Sequence, residues 1–230
     1  SSKKNLDFKN FVLNFYANRV KRLLPALLFF VGILSILIVF VNATPSTSIK
    51  TGLSSLFGVS NLYLIRLQND YNAQISGLNP FLHTWSLGVE ETFYLIYPII
   101  IFYSGFLDKI KKIRKTKIIL ITLSLFSFLI FSYLSFQNKQ LSYYLSIGRF
   151  WEMISGALLF IYVANKSRLN NYFFNILSVL SFLILFFVII FGPLENSYFL
   201  TITVVLFSNL LIFSLKEKTL LYSLFTNKLI

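Results

Sequence analysis

The 230-residue chain is 56% hydrophobic and 18% aromatic, with a mean hydropathy of +0.73, well above soluble domains at about 45–50% apolar. Its formal charge of +13 falls in short loops between apolar runs, the distribution of a positive-inside membrane protein rather than a nucleic-acid stripe. The lack of cysteine excludes disulfides, thiolate catalysis and zinc–thiolate sites, and a single histidine excludes a multi-histidine metal site within this chain.

The N-terminal Ser1–Arg22 carries Lys3, Lys4, Lys9, Arg19, Lys21 and Arg22 against Asp7. It has no apolar signal-peptide core. Phe8, Phe11, Val12, Phe15 and Tyr16 recur at helical spacing and predict an amphipathic interfacial helix. It runs into a first apolar span, Leu23–Val41, with Pro25 in the span's first turn, where a missing N–H does no harm. A polar turn comes next, then a moderately apolar Thr51–Leu67, then a loop rich in turn residues. Further apolar spans are predicted at Trp85–Phe106, Ile118–Phe136, Leu145–Ala164, Phe173–Gly192 and Tyr198–Leu215. If Thr51–Leu67 does not cross, 17 Lys and Arg fall on the cytoplasmic side, including those of Leu107–Lys117, and only Lys50, Arg66 and Lys139 fall outside. That bias predicts a re-entrant or interfacial Thr51–Leu67 on the outer side, and puts His83 and Glu90 toward the outer leaflet. The fold class is therefore an all-α polytopic transmembrane bundle with about six full spans. Residues 1–22 form a cytoplasmic basic segment, 23–215 the membrane region and 216–230 a cytoplasmic tail.

The chemistry concentrates in HTWSLGVEETFYLIYP, His83 to Pro98. Carboxylates inside a bilayer are costly, about 2.5–3.5 kcal/mol each, so Glu90 and Glu91 read as functional unless a helix N-terminus and headgroup water account for them. At about 100° per residue, Ser86, Glu90, Tyr94 and Tyr97 share one stripe while Glu91 points elsewhere. Glu90 is thus expected to carry the chemistry, with a partner such as Arg149, and Glu91 to matter less. His83 is either an interfacial hydrogen-bonded residue or a base oriented by Glu90. The two are seven residues apart and share a face only if the helix begins before His83.

Two further charged pairs stand out. Arg19 and Arg22 lie on one helical face at the predicted cytoplasmic surface, either as a topological anchor or as a fork for the phosphates of a nucleotide-linked donor. Arg149 and Glu152 lie one turn apart within an apolar span. They suit either a structural ion pair or a place in the site. Gly156, on roughly their face, predicts close approach of a neighbouring helix or substrate.

TWSLGVEETFY resembles the WSLxxExxFY signature of the acyltransferase-3 family of integral membrane acyltransferases, and SLFGVSNLYL and NPFLH are similar to the segments before it. FYANRVKRLLPALL resembles the family's FYxRRxxRLLPAL stretch, with Asn18 where many members have arginine. GRFWEMISGALLF resembles RxWELxxGALLA, with Met153 for leucine. The fragments occur in family order over nearly the whole chain.

The resemblance implies a membrane core of about ten helices that takes an acyl group, usually acetyl, from cytoplasmic acyl-CoA. The group is delivered to a hydroxyl of an outer glycan, across the bacterial inner membrane. It also implies Arg19 and Arg22 toward acyl-CoA, and Glu90, Glu91 and His83 as candidate catalytic residues. Trp85, Ser86, Tyr94, Arg149 and Glu152 are the corresponding substrate-site candidates. Partners would be lipids, the donor and a glycan such as lipopolysaccharide, peptidoglycan or exopolysaccharide, with neither metal nor nucleic acid. The family's first two helices, which carry a histidine regarded as catalytic, and its final GxxSYxxYLxHxP helix are expected to lie outside this sequence, as is any SGNH domain. A transporter or flippase-like protein is the alternative, its intramembrane charges then marking a substrate path.

Overall fold

The computed structural model describes residues 8–41, 45–68, 79–104, 113–163, 171–192, 197–215 and 219–226. Every regular element among them is helical. Two compact units divide within one helix, after Phe150.

The first unit begins with α1, Phe8–Val41, a single unbroken helix. The basic segment, expected as an interfacial helix running directly into the apolar span, forms one helix with it, and Pro25 lies well inside that helix. The apolar side chains of the basic segment find protein to pack on. Phe8 and Phe11 lie against Phe102, at 4.9 and 5.9 Å between ring centroids. Those partners belong to α4, Trp85–Ser104, which runs antiparallel to α1. At the other end of the pairing Phe30 meets Phe81 at 6.0 Å.

Thr51–Leu67 does not form one span. It is split between α2, Ser46–Leu56, and α3, Ser60–Gln68. At about 1.5 Å per residue neither is long enough to cross a bilayer of about 30 Å. The break falls at Gly58, whose φ of 68° is a left-handed conformation that ends α2 cleanly. Internal hydrogen bonds hold this non-spanning segment. Asn79 Nδ2 donates to Thr51 Oγ1 at 2.7 Å, and Ser60 Oγ donates to the Thr84 carbonyl at 2.6 Å. Such closure is what irregular backbone at membrane depth requires. Val31, Ile38 and Phe81 form a buried core there, with Leu27, Leu34 and Leu56 around it. Gly88 lets α3 and α4 touch, because a Cβ there would stand 2.5 Å from Asn61 Oδ1.

The remaining helices of this unit are α5, Ile113–Gln137, a short α6, Lys139–Tyr144, and the first residues of α7, Ser146–Val163. The expected span from Leu145 therefore starts one residue later, after an extended Leu145. Asn138 caps α6 by accepting from the Leu141 amide at 3.0 Å. Ser127 Oγ donates to the Ile147 carbonyl at 2.6 Å and ties α5 to α7.

The second unit holds the rest of α7 with α8, Asn171–Phe191, α9, Ser197–Ser214, and α10, Leu220–Thr226. Phe174 is fully buried against Phe213 at 5.4 Å. Asn209 Nδ2 donates to Ser155 Oγ at 2.8 Å. A Cβ placed on Gly156 would meet nothing within 4 Å beyond its own helix, so no other helix of this unit approaches closely there among the described residues.

Among the described residues, five helices, α1, α5, α7, α8 and α9, are long and apolar enough to cross a membrane by length and composition. The predicted sixth span, α4, has the length at 20 residues, but its polar residues lower its hydropathy. The chain is an integral membrane protein of the all-α polytopic class. Most of the expected basic loop between α4 and α5 lies outside the described residues.

Candidate functional site

Alongside α4, α1 delivers Arg19 to both carboxylates. Its Nε donates to Glu91 Oε1 at 3.0 Å and its Nη2 to Glu90 Oε2 at 3.3 Å. The guanidinium carbon lies 3.3 Å from the centroid of the Tyr94 ring. A planar fork explains how one residue holds acids that point about 100° apart on a helix: separate nitrogens serve each, and the π-face stacks on the ring between them. The Arg19 side chain is 10% exposed, Glu91 32% and Glu90 48%.

Tyr16 fixes the same pairing from α1. Its hydroxyl lies 3.0 Å from the Tyr94 carbonyl and 3.2 Å from that of Leu95. Pro98 has no N–H, so the carbonyl four residues before it, that of Tyr94, loses its helical donor. Tyr16 supplies the missing donor, which locks the register of α1 on α4 beside the charged cluster.

A cavity of about 220 Å³ opens beside this cluster. Leu23, Leu27, Leu56, Val59, Leu87 and Leu95 give it an apolar wall. Tyr16, Arg19, Ser55, Glu91 and Thr92 supply its polar lining. A pocket that is mostly apolar, with a few convergent polar groups, is the usual form of a small-molecule site.

The arrangement corrects several expectations. Glu91, expected to point elsewhere, makes the shorter contact with Arg19 and lines the cavity; Glu90 does not line it. A helical wheel identifies residues that share a face but not where the neighbouring helix lies, and α1 lies between the two acids. Arg19 and Glu90 were expected toward opposite leaflets, which their 3.3 Å contact rules out. The Arg19 guanidinium is engaged by the two carboxylates, while Arg22 is exposed.

His83 sits in a 3-10 turn, Leu82–Thr84, ahead of α4. The α-helix therefore does not begin before it, His83 is exposed, and no hydrogen bond joins it to Glu90 among the described residues. Ser86 is also exposed and donates only to the His83 carbonyl, at 3.3 Å.

Arg149 lies elsewhere, against aromatic rings. Its guanidinium carbon is 5.2 Å from the Trp85 centroid, 5.6 Å from Tyr143 and 5.9 Å from Phe131. Trp85 itself packs on Tyr143 at 4.3 Å. Arg149 does not line the cavity beside Glu91. Glu152 is half-buried.

Sequence reasoning missed Tyr16, Gly58 and Asn61. Asn61 Nδ2 donates to Ser146 Oγ at 2.7 Å, and Ser146 Oγ to Thr92 Oγ1 at 3.3 Å, a buried polar chain that ends on the cavity wall. A buried asparagine in an apolar segment was a usable signal for the last of these. Groups of three or more metal-ligating side chains are absent among the described residues.

Residues 8–221 match the acyltransferase domain that defines the acyltransferase-3 family. The chain is 36% identical over 184 residues to a Haemophilus influenzae protein without an assigned function, covering 75% of this chain and 73% of that protein. It is 29% identical over 149 residues to the O-acetyltransferase OatA of Staphylococcus aureus, covering 64% of this chain and 24% of OatA. It is also 32% identical over 107 residues to a proposed peptidoglycan O-acetyltransferase of Bacillus subtilis, YrhL, covering 46% of this chain and 16% of YrhL. This chain therefore spans about a quarter of the relative's length or less in those two comparisons. No solved structure matches. The match extends from the first residues of α1 into α10 and includes Arg19, Glu90 and Glu91, so the chain belongs to the acyltransferase-3 family of membrane acyltransferases.

Proposed function

We propose that this chain forms part of an O-acyltransferase of the bacterial inner membrane that moves an acyl group, acetyl by analogy with OatA and YrhL, from acyl-CoA to a glycan hydroxyl. Peptidoglycan is the acceptor class that the name of YrhL suggests. The observation that carries the reading is the Arg19–Glu91 pair at the edge of an apolar cavity of about 220 Å³.

In the transfer, the carbon–sulfur bond of the thioester breaks as a bond forms between the acyl carbon and the hydroxyl oxygen. The hydroxyl proton goes to a base and then to the departing thiolate. Glu91 serves as that base: it borders the cavity, and Arg19 holds one of its oxygens while the other remains available. The apolar wall shelters the acyl group from water, which would otherwise compete as acceptor. Arg22, exposed on α1, meets the donor phosphates in this reading.

Membranes containing the full-length protein, given acetyl-CoA labelled in its acetyl group and purified peptidoglycan, test this reading. Base-labile label should enter the glycan. Arg22→Ala should raise the donor KM severalfold with little change in kcat, as loss of uniform binding does. No labelled glycan from membranes that hold the protein would overturn the assignment.

A further inference from the structure

We propose that Gly58 is a positioning residue for the acyl-transfer site: the left-handed turn between α2 and α3 sets the place of Glu91 by touching the base of its side chain. The inference rests on the functional reading of Glu91 given above.

Gly58 lines the cavity and adopts φ 68°, where side chains other than hydrogen are strained. Its amide donates to the Ser55 carbonyl at 3.0 Å and that of Val59 to Ser54 at 3.0 Å, so the turn is tied back onto α2 and cannot easily retreat. A Cβ placed on Gly58 would stand 2.9 Å from Glu91 Cβ and 3.0 Å from its Cγ. Ordinary contacts begin at 3.4 Å, so α2–α3 and α4 would have to part by about half an ångström. Glu91 Cβ is fixed to the backbone of α4, so no rotation of the side chain relieves the contact. The displacement passes instead to the helix turn that presents both Glu91 and Glu90 to Arg19.

Gly52 supplies the comparison within the same segment. A Cβ there would meet the Phe81 ring at 3.0 Å, in the core of the unit and not at either carboxylate.

The test uses the full-length protein in membranes and compares Gly58→Ala with Gly52→Ala, each alone and combined with Glu91→Gln. Gly58→Ala should lower kcat about tenfold or more while leaving the donor KM near its original value. Gly52→Ala should leave kcat unchanged. In the Glu91→Gln background, Gly58→Ala should add little further loss, because the carboxylate it displaces is already gone. Equal fractional losses in both backgrounds, or unchanged kcat for Gly58→Ala, would overturn the assignment. Gly58→Asn, which tolerates the left-handed turn but keeps the added Cβ, should reach the membrane and show the same kcat loss. Failure of both Gly58 variants to reach the membrane would make Gly58 a folding residue and overturn it too. Full activity of Glu91→Gln alone would instead remove Glu91 from the reaction, and the Gly58 assignment with it.

Discussion

Two arginines in the same unit meet α4 through different contacts. Arg19 reaches two carboxylates and one ring, at 3.0, 3.3 and 3.3 Å. Arg149 is placed among three aromatic rings at 5.2 to 5.9 Å. Charge-assisted hydrogen bonds are geometrically demanding, whereas cation–π contacts contribute about 0.5–2 kcal/mol and tolerate small displacements. The difference is between an arginine held by carboxylates beside the cavity and one packed on aromatic rings. It also assigns the cavity to the Arg19 end of the comparison, since Arg149 does not line it.

Replacing each arginine by lysine breaks this comparison if the two regions are alike. Arg19→Lys keeps the charge but loses the fork and the stacking plane, so only one carboxylate can be held well at a time. Acyl transfer should fall by roughly 10²-fold at matched membrane levels, measured with labelled donor. A loss of less than about threefold would reduce Arg19 to a topological anchor. Arg149→Lys should act more weakly and mainly on stability. Loss of the aromatic contacts should destabilise by about 1–2 kcal/mol, read as a lower midpoint of thermal unfolding in detergent, with transfer changed only a few fold. A transfer loss as large as that of Arg19→Lys would place Arg149 in the reaction and erase the distinction.

The sequence made the helical class and most element positions legible, because long apolar runs and 3.6-residue periodicity are local properties. It could not show what the basic segment of α1 packs against. Lysines and arginines suggested the interface, yet Phe8, Phe11 and Tyr16 pack against α4, residues that are more than 70 positions away. The site was legible in part. Adjacent acids in a membrane-length helix marked α4 correctly as the place where charge gathers. Which acid faced the cavity depended on the position of α1 and of the Gly58 turn, and both are tertiary facts. The aromatic surroundings of Arg149 were equally hidden, since Trp85, Phe131 and Tyr143 come from three separate elements.

We propose that Glu91, not Glu90, is the reacting carboxylate. The direct measurement is the transfer rate of Glu91→Gln beside that of Glu90→Gln, in the full-length protein at matched membrane levels. Both variants keep side-chain shape and remove one negative charge from beside Arg19, so a general effect of charge at the start of α4 would weaken both equally. The account predicts a loss of about 10²-fold or more for Glu91→Gln and at most about tenfold for Glu90→Gln. Equal losses, or a larger loss for Glu90→Gln, would contradict it.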